Sequence, residues 1–132
     1  MHTDCYCILL RTAARKVTAI YDEALGPIEV NIAQFSLLRR IARKAPISLT
    51  DLAALCDLDR STVGRNAKVL ERKTLVAVTK AKDQREACLT LTEAGRQVLE
   101  AGAPLWDAAQ TRLTAAIGPD AIVSLKTLAA GC

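Results

Sequence analysis

Two sets of side chains in this 132-residue sequence are equipped for chemistry, a run of cations and a scatter of thiols. Residues 59 to 86 carry eight basic side chains (Arg60, Arg65, Lys68, Arg72, Lys73, Lys80, Lys82 and Arg85) against four acids (Asp59, Glu71, Asp83 and Glu86). The remaining residues hold ten basic and ten acidic side chains, so the whole net charge of +4 lies in this one stretch. A local basic excess is what a polyanion-binding surface needs, although a merely solvated basic face has the same composition. The five cysteines (Cys5, Cys7, Cys56, Cys88 and Cys132) are odd in number and lack the spacing of a disulfide scaffold, so they are expected to be reduced. His2, Cys5 and Cys7 form too short a cluster for a four-ligand metal site, and no second Cys or His group completes one. With one histidine, no nucleophile–base set, no Gly-rich phosphate loop and no paired acids, the chain reads as no enzyme and calls for no cofactor.

These residues need elements to hold them. Four aromatic residues (Tyr6, Tyr21, Phe35 and Trp106) leave a core of Leu, Ile, Val and Ala, a composition that favours helix. Residues 5 to 25 predict a helix with Leu9, Ala13, Val17 and Ile20 on one side, broken by Gly26-Pro27. Residues 32 to 44 predict a second, with Phe35, Leu38, Ile41 and Ala42 inward, stopped by Pro46. Ser48 and Asp51 have capping-box spacing before a short helix, about 49 to 56. Asp57-Leu58 turns the chain, and Asp59 can cap a helix running to about Lys73 with Val63, Ala67 and Leu70 inward. Two helices joined by a tight turn match helix-turn-helix layout. Leu75 to Thr79 and Ala87 to Leu91 then alternate as strands around a polar tip, which makes a hairpin, and a hairpin in this place is a wing. Thr92 can cap a long helix, about 93 to 116, which Pro104 is expected to kink or interrupt. A last helix spans about 120 to 130. No apolar run reaches the ~18 residues that span a membrane, and the start does not read as a secretory signal, so a cytoplasmic protein is expected.

The run Asp59-Arg60-Ser61-Thr62-Val63-Gly64-Arg65, then Leu70-Glu71, Leu75-Val76, Asp83-Gln84-Arg85 and Leu89-Thr90-Leu91-Thr92-Glu93-Ala94-Gly95, resembles the MarR family in order and over almost the whole chain. The resemblance implies a mainly α winged helix-turn-helix fold of about six helices with a small β-hairpin wing. It also implies one domain over residues 1–132: a DNA-binding lobe at about 31–91, and dimerisation helices at about 5–25 and 93–130 that interleave at the base of a homodimer. Thr74 stands where the family usually has a Gly that ends the recognition helix in a left-handed turn.

A helix enters the major groove with its N-terminal residues against base edges, which here are Arg60, Ser61, Thr62 and Arg65. Gly64 lets the helix approach closely, and Lys68 is placed for phosphate. Arg85 resembles the family's minor-groove arginine, with Asp83 orienting it, while Lys80 and Lys82 suit phosphates. A dimer would present two such helices roughly 34 Å apart to a pseudo-palindromic operator in double-stranded DNA.

Cys5 and Cys7 fall at the start of the first helix, a position that favours the reactive thiolate. Cys7-Ile8-Leu9-Leu10, with Arg15 and Tyr21 beyond, resembles the first helix of the hydroperoxide-sensing branch of the family. In that branch a cysteine at the position of Cys7 is oxidised, and a tyrosine at that of Tyr21 bonds it across the dimer. A second tyrosine of the branch is replaced by Arg11. The expectation is a repressor released from its operator when Cys7 or Cys5 is oxidised, with Cys132 as a resolving partner across the dimer. Cys56 and Cys88 are expected to be structural. Two alternatives stay open: the same repressor controlled by a small aromatic ligand between the dimer base and the DNA-binding lobe, and a winged-helix interaction module that does not bind DNA.

Overall fold

Among the described residues the chain forms six α-helices and three short strands, with Gly-Pro at the end of the first helix and between the last two helices. The structure, a computed structural model, describes residues 1–80 and 86–131. Lys82, Asp83, Arg85 and Cys132 therefore lie outside the described residues. Helix α1 (Tyr6–Leu25) ends in a 3-10 turn, Gly26–Ile28. Helix α2 (Ile32–Lys44) begins with a capping box: the Asn31 side chain accepts from the Gln34 backbone, and the Gln34 side chain accepts from the Asn31 backbone. Strand β1 (Ile47–Ser48) leads into α3 (Leu49–Cys56), which is followed by α4 (Arg60–Arg72). Strands β2 (Val76–Thr79) and β3 (Cys88–Leu91) form the wing, α5 (Glu93–Ile117) crosses back, and α6 (Pro119–Ala129) closes the described chain.

The expected hairpin is present, with Val76 opposite Leu91 and Thr79 opposite Cys88. It is widened by β1, which pairs antiparallel with β3 to give the order β1-β3-β2. Two residues are too few to show a strand period, so β1 is absent from the sequence reading.

The core lies under the helix-turn-helix. Phe35, Leu38 and Ile41 of α2 meet Leu52 of α3, Val63 and Leu70 of α4, and Val76 and Leu89 of the sheet. Two inward assignments change. Ala42 is exposed because it opens onto the cavity between α2 and α5, and Leu37 is buried. Helix α5 runs through Pro104 without interruption. Proline removes one backbone donor, and the packing of this helix holds the rest of the ladder. Gly102, beside it, lies where a Cβ would meet Phe35 and Ile28, so α5 sits close upon α2 and the turn before it.

Thr92 caps α5 as expected, its hydroxyl accepting from Gly95 N at 3.0 Å and donating to Thr74 O at 2.7 Å. Thr74 is left-handed, with φ 61°, so the corner keeps the conformation that a Gly would adopt without strain. The outer helices expose apolar side chains in greater number than the lobe, where Leu55, Leu58 and Val78 are exposed. Tyr6, Ile8, Leu9 and Leu10 on α1 and Val123, Leu125 and Leu128 on α6 are all exposed. No helix among the described residues is long and apolar enough to cross a membrane.

Candidate nucleic-acid interface

The turn between α3 and α4 is made without glycine. Asp57 takes the left-handed conformation (φ 53°) that ends α3, and Leu58 N donates back to Ala53 O at 3.1 Å. Asp and Asn reach this region more readily than other side-bearing residues, which accounts for a tight turn here. Burial of Val63, Ala67 and Leu70 then fixes the rotation of α4. The opposite face carries Ser61, Arg65 and Lys68, all exposed, with Gly64 partly so; Arg60 is exposed in the first turn, and Thr62 is partly exposed. Three of the expected DNA contacts thus share one face of one helix, with Arg60 exposed at its start, and nothing lies within 4 Å of where a Gly64 side chain would begin.

The N-terminal turn of α4 is wired differently from the expectation. Asp59 is the N-cap residue but makes no side-chain bond to the helix backbone. Its carboxylate accepts instead from the hydroxyls of Ser61 and Thr62, and these bonds, that of Ser61 first, hold its pKa below the ordinary value. Both hydroxyls are therefore committed as donors, and either must leave Asp59 before it can donate to a phosphate. Arg65 adds a bond to Thr62 Oγ1 at 3.3 Å.

Arg60 is also engaged. Its Nη2 lies 2.9 Å from Glu86 Oε1, the residue that leads from the wing tip into β3. The same oxygen accepts from the Thr50 hydroxyl at 2.9 Å and from Thr50 N at 3.3 Å, in the first turn of α3. These bonds, with the charge of Arg60, hold the Glu86 carboxyl below its usual range. The expected reciprocal half of the α3 capping box is missing: Ser48 Oγ accepts from Asp51 N at 3.1 Å, but it is Glu86 that takes the next donor. Lys80 is exposed just after β2, and Lys82, Asp83 and Arg85 fall outside the described residues.

The thiols are divided between α1 and the helix-turn-helix lobe. Cys5 is the N-cap of α1, Cys7 sits in its first turn, and both are exposed. Cys88 is buried and Cys56 half-buried; Arg40 Nη1 approaches the Cys56 sulfur at 3.6 Å. Tyr21 stands fourteen residues along the helix from Cys7, about 21 Å at the α-helical rise, so the two cannot meet within one chain. Its hydroxyl donates to Gln110 of α5, and burial raises its pKa. His2 and Tyr6 bond to each other at 3.1 Å.

A cavity of about 540 Å³ lies between α2 and α5, lined by Phe35, Arg39, Arg43, Leu99, Pro104 and Trp106. The Arg39 guanidinium lies 4.1 Å from the centroid of the Trp106 ring, a cation–π stack. Neither the cavity nor the Glu86 junction has a local sequence signal, because the partners stand 26 to 67 residues apart.

A model of the MarR family matches residues 30–87, the span from α2 to the wing. No curated protein matches the chain by sequence. Among solved structures, the M. tuberculosis transcriptional regulator MosR in complex with DNA is 34% identical over 98% of each chain, with a TM-score of 0.83. Bordetella bronchiseptica BpsR, whose DNA binding is regulated by 6-hydroxynicotinic acid, is 25% identical over 97% of this chain and 93% of its own, with a TM-score of 0.83. CouR from Rhodococcus jostii RHA1, bound to p-coumaroyl-CoA, is 26% identical over 95% and 88%, with a TM-score of 0.75.

Proposed function

The chain belongs to the MarR family of DNA-binding transcription regulators, and from that premise we propose that it is a homodimeric repressor released from a pseudo-palindromic operator by oxidation of Cys7 or Cys5. The observation that carries the DNA-binding part is the solvent face of α4 with Ser61, Arg65 and Lys68 upon it and Arg60 exposed at its start. Arg60 and Arg65 reach base edges, Lys68 and Lys80 hold phosphates, and Arg85 with Asp83 and Lys82 extends the contact from the wing. The dimer rests on the apolar faces of α1 and α6. Their exposed Ile, Leu, Val and Tyr side chains are more than a lone chain leaves to water without reason, and a second copy covers them.

The thiols sit in that same segment, which couples their chemistry to the dimer base. An organic hydroperoxide would take the Cys7 thiolate to a sulfenic acid and leave as the alcohol. A second thiol, Cys5 or Cys132 of either subunit, would then displace water to form a disulfide. A change at the base respaces the two α4 helices, and binding that depends on both half-sites is lost. A second reading is favoured by the α2–α5 cavity. Arg39 and Arg43 beside Trp106 and Phe35 suit a small aromatic anion, the chemistry of the 6-hydroxynicotinic acid named for BpsR.

The test is fluorescence anisotropy on DNA from upstream of the protein's own gene. Reduced protein is expected to bind tightly and with strong salt dependence. One equivalent of an organic hydroperoxide is expected to abolish binding, and dithiothreitol to restore it, except in Cys7→Ala or Cys5→Ala. Binding that ignores oxidant but yields to an aromatic carboxylate overturns the thiol switch in favour of the second reading.

A further inference from the structure

Glu86 is an acid set directly against a cation of the recognition surface, Arg60 at the start of α4. One of its oxygens joins three elements: the first turn of α3 through Thr50, the first turn of α4 through Arg60, and the strand that leaves the wing. Arg60 is spent on it through Nη2 alone, and its side chain remains 61% exposed. A guanidinium has five N–H donors in a rigid fork, so one edge can be held while another is offered outward.

We propose that Glu86 is a positioning residue for operator recognition, which buttresses Arg60 for a base edge and withholds it from non-specific phosphate contact. This inference rests on the reading of α4 as the recognition helix. Two physical effects support it. A flexible arginine loses rotamer freedom on binding, and a carboxylate that already fixes it removes part of that cost before DNA arrives. A paired arginine also adds less to the positive field that attracts any duplex, so affinity for non-operator DNA falls while the geometry needed for the correct base pair is kept. The junction is stable without DNA because the N-terminus of α3 favours the carboxylate.

The test compares wild type, Glu86→Ala, Glu86→Gln, Arg60→Ala and the double variant Arg60→Ala/Glu86→Ala. Each is titrated against the operator, a set of operators changed one base pair at a time, and a scrambled duplex, over a range of salt. Glu86→Ala is expected to bind scrambled DNA about 5-fold more tightly per subunit at ~0.15 M salt, with a log–log salt slope steeper by roughly one per subunit. Its discrimination is expected to fall by about 5-fold or more, at the same base pairs where Arg60→Ala loses discrimination. Glu86→Gln keeps an acceptor without the charge, so it is expected to restore discrimination but not the shallower salt slope. The proposal is overturned if Glu86→Ala changes operator and scrambled binding by the same factor, or if its effect persists in the Arg60→Ala background. Should Glu86→Ala lose its fold through the weakened α3 terminus, Glu86→Gln decides by its salt slope alone, and an unchanged slope overturns the proposal. A wild-type protein that binds no duplex would refute the recognition-helix reading itself, an outcome distinct from both.

Discussion

The same substitution, Gly→Ala, is expected to have opposite signs at two glycines of this chain. Gly64 lies inside α4 with nothing within 4 Å of where its Cβ would stand. Alanine there gains helix propensity, about 0.5–1 kcal/mol. Gly95 lies in the first turn of α5, where a Cβ would collide with the Leu75 carbonyl oxygen and sit 2.9 Å from Leu91 Cδ1. Ordinary carbon contacts are about 3.5–4.0 Å. The leucine can turn aside, but the carbonyl belongs to the backbone and also accepts from Thr92 N at 3.1 Å. Relief therefore requires α5 to move from the wing, an overpacking cost of about 3 kcal/mol or more. After the propensity gain, Gly95→Ala is expected to lose about 2–3 kcal/mol. For a chain of this size that lowers Tm by roughly 10 °C, while Gly64→Ala raises it by about 3 °C. Thermal unfolding at one fixed protomer concentration measures both. A Gly95→Ala protein that melts within a degree of wild type would refute the packing of α5 on the wing. Gly64→Ala carries a second consequence: its methyl group stands on the DNA face, so the more stable protein is expected to bind operator more weakly.

Three further outcomes follow from the same geometry. Thr74→Gly should stabilise the chain by about 0.5–1 kcal/mol, the left-handed penalty of a β-branched residue less the entropy of glycine, and a urea titration would show the midpoint rise without a change in slope. Lys68→Ala should weaken operator and scrambled DNA alike and reduce the salt slope by roughly one per subunit; a loss confined to particular base pairs would make Lys68 a base contact. Asp59 and Glu86 both have depressed pKa values, so the stability they confer is complete above the ordinary carboxylate range and is lost as pH falls through their folded values. Asp59→Asn should accordingly flatten the fall in stability between pH 5 and pH 2.5, measured by urea unfolding, and an unchanged slope would contradict the Ser61 and Thr62 bonds.

Much of this architecture is legible before any coordinates. The apolar period and the Gly-Pro breaks mark α1, α2, α5 and α6, and the change from helical to alternating period at Leu75 marks the wing. Thr92 reads correctly as a cap because its partner is only three residues away. Illegible features are those set by distant partners. Helix α2 buries Leu37 and leaves Ala42 exposed because Ala42 faces the open cavity against α5, far along the chain. Strand β1 exists because β3 offers it a ladder, not because Ile47-Ser48 has a pattern. Asp57 supplies the left-handed turn for which the sequence offers no glycine. At the interface, the cations of α4 are visible as a charge excess, but Glu86 counts there only as one acid among eight bases. Its role needs the fold that brings residue 86 to residues 50 and 60.

The central claim is that two copies of this chain read a duplex through paired α4 helices. Selection of binding sites from a random duplex library tests it most directly. The account predicts an enriched pseudo-palindrome, with half-sites about one helical turn apart and two protomers per duplex. Loss of enrichment is expected for Arg60→Ala/Arg65→Ala. A library from which no motif emerges, or a motif bound by a single protomer, would contradict it.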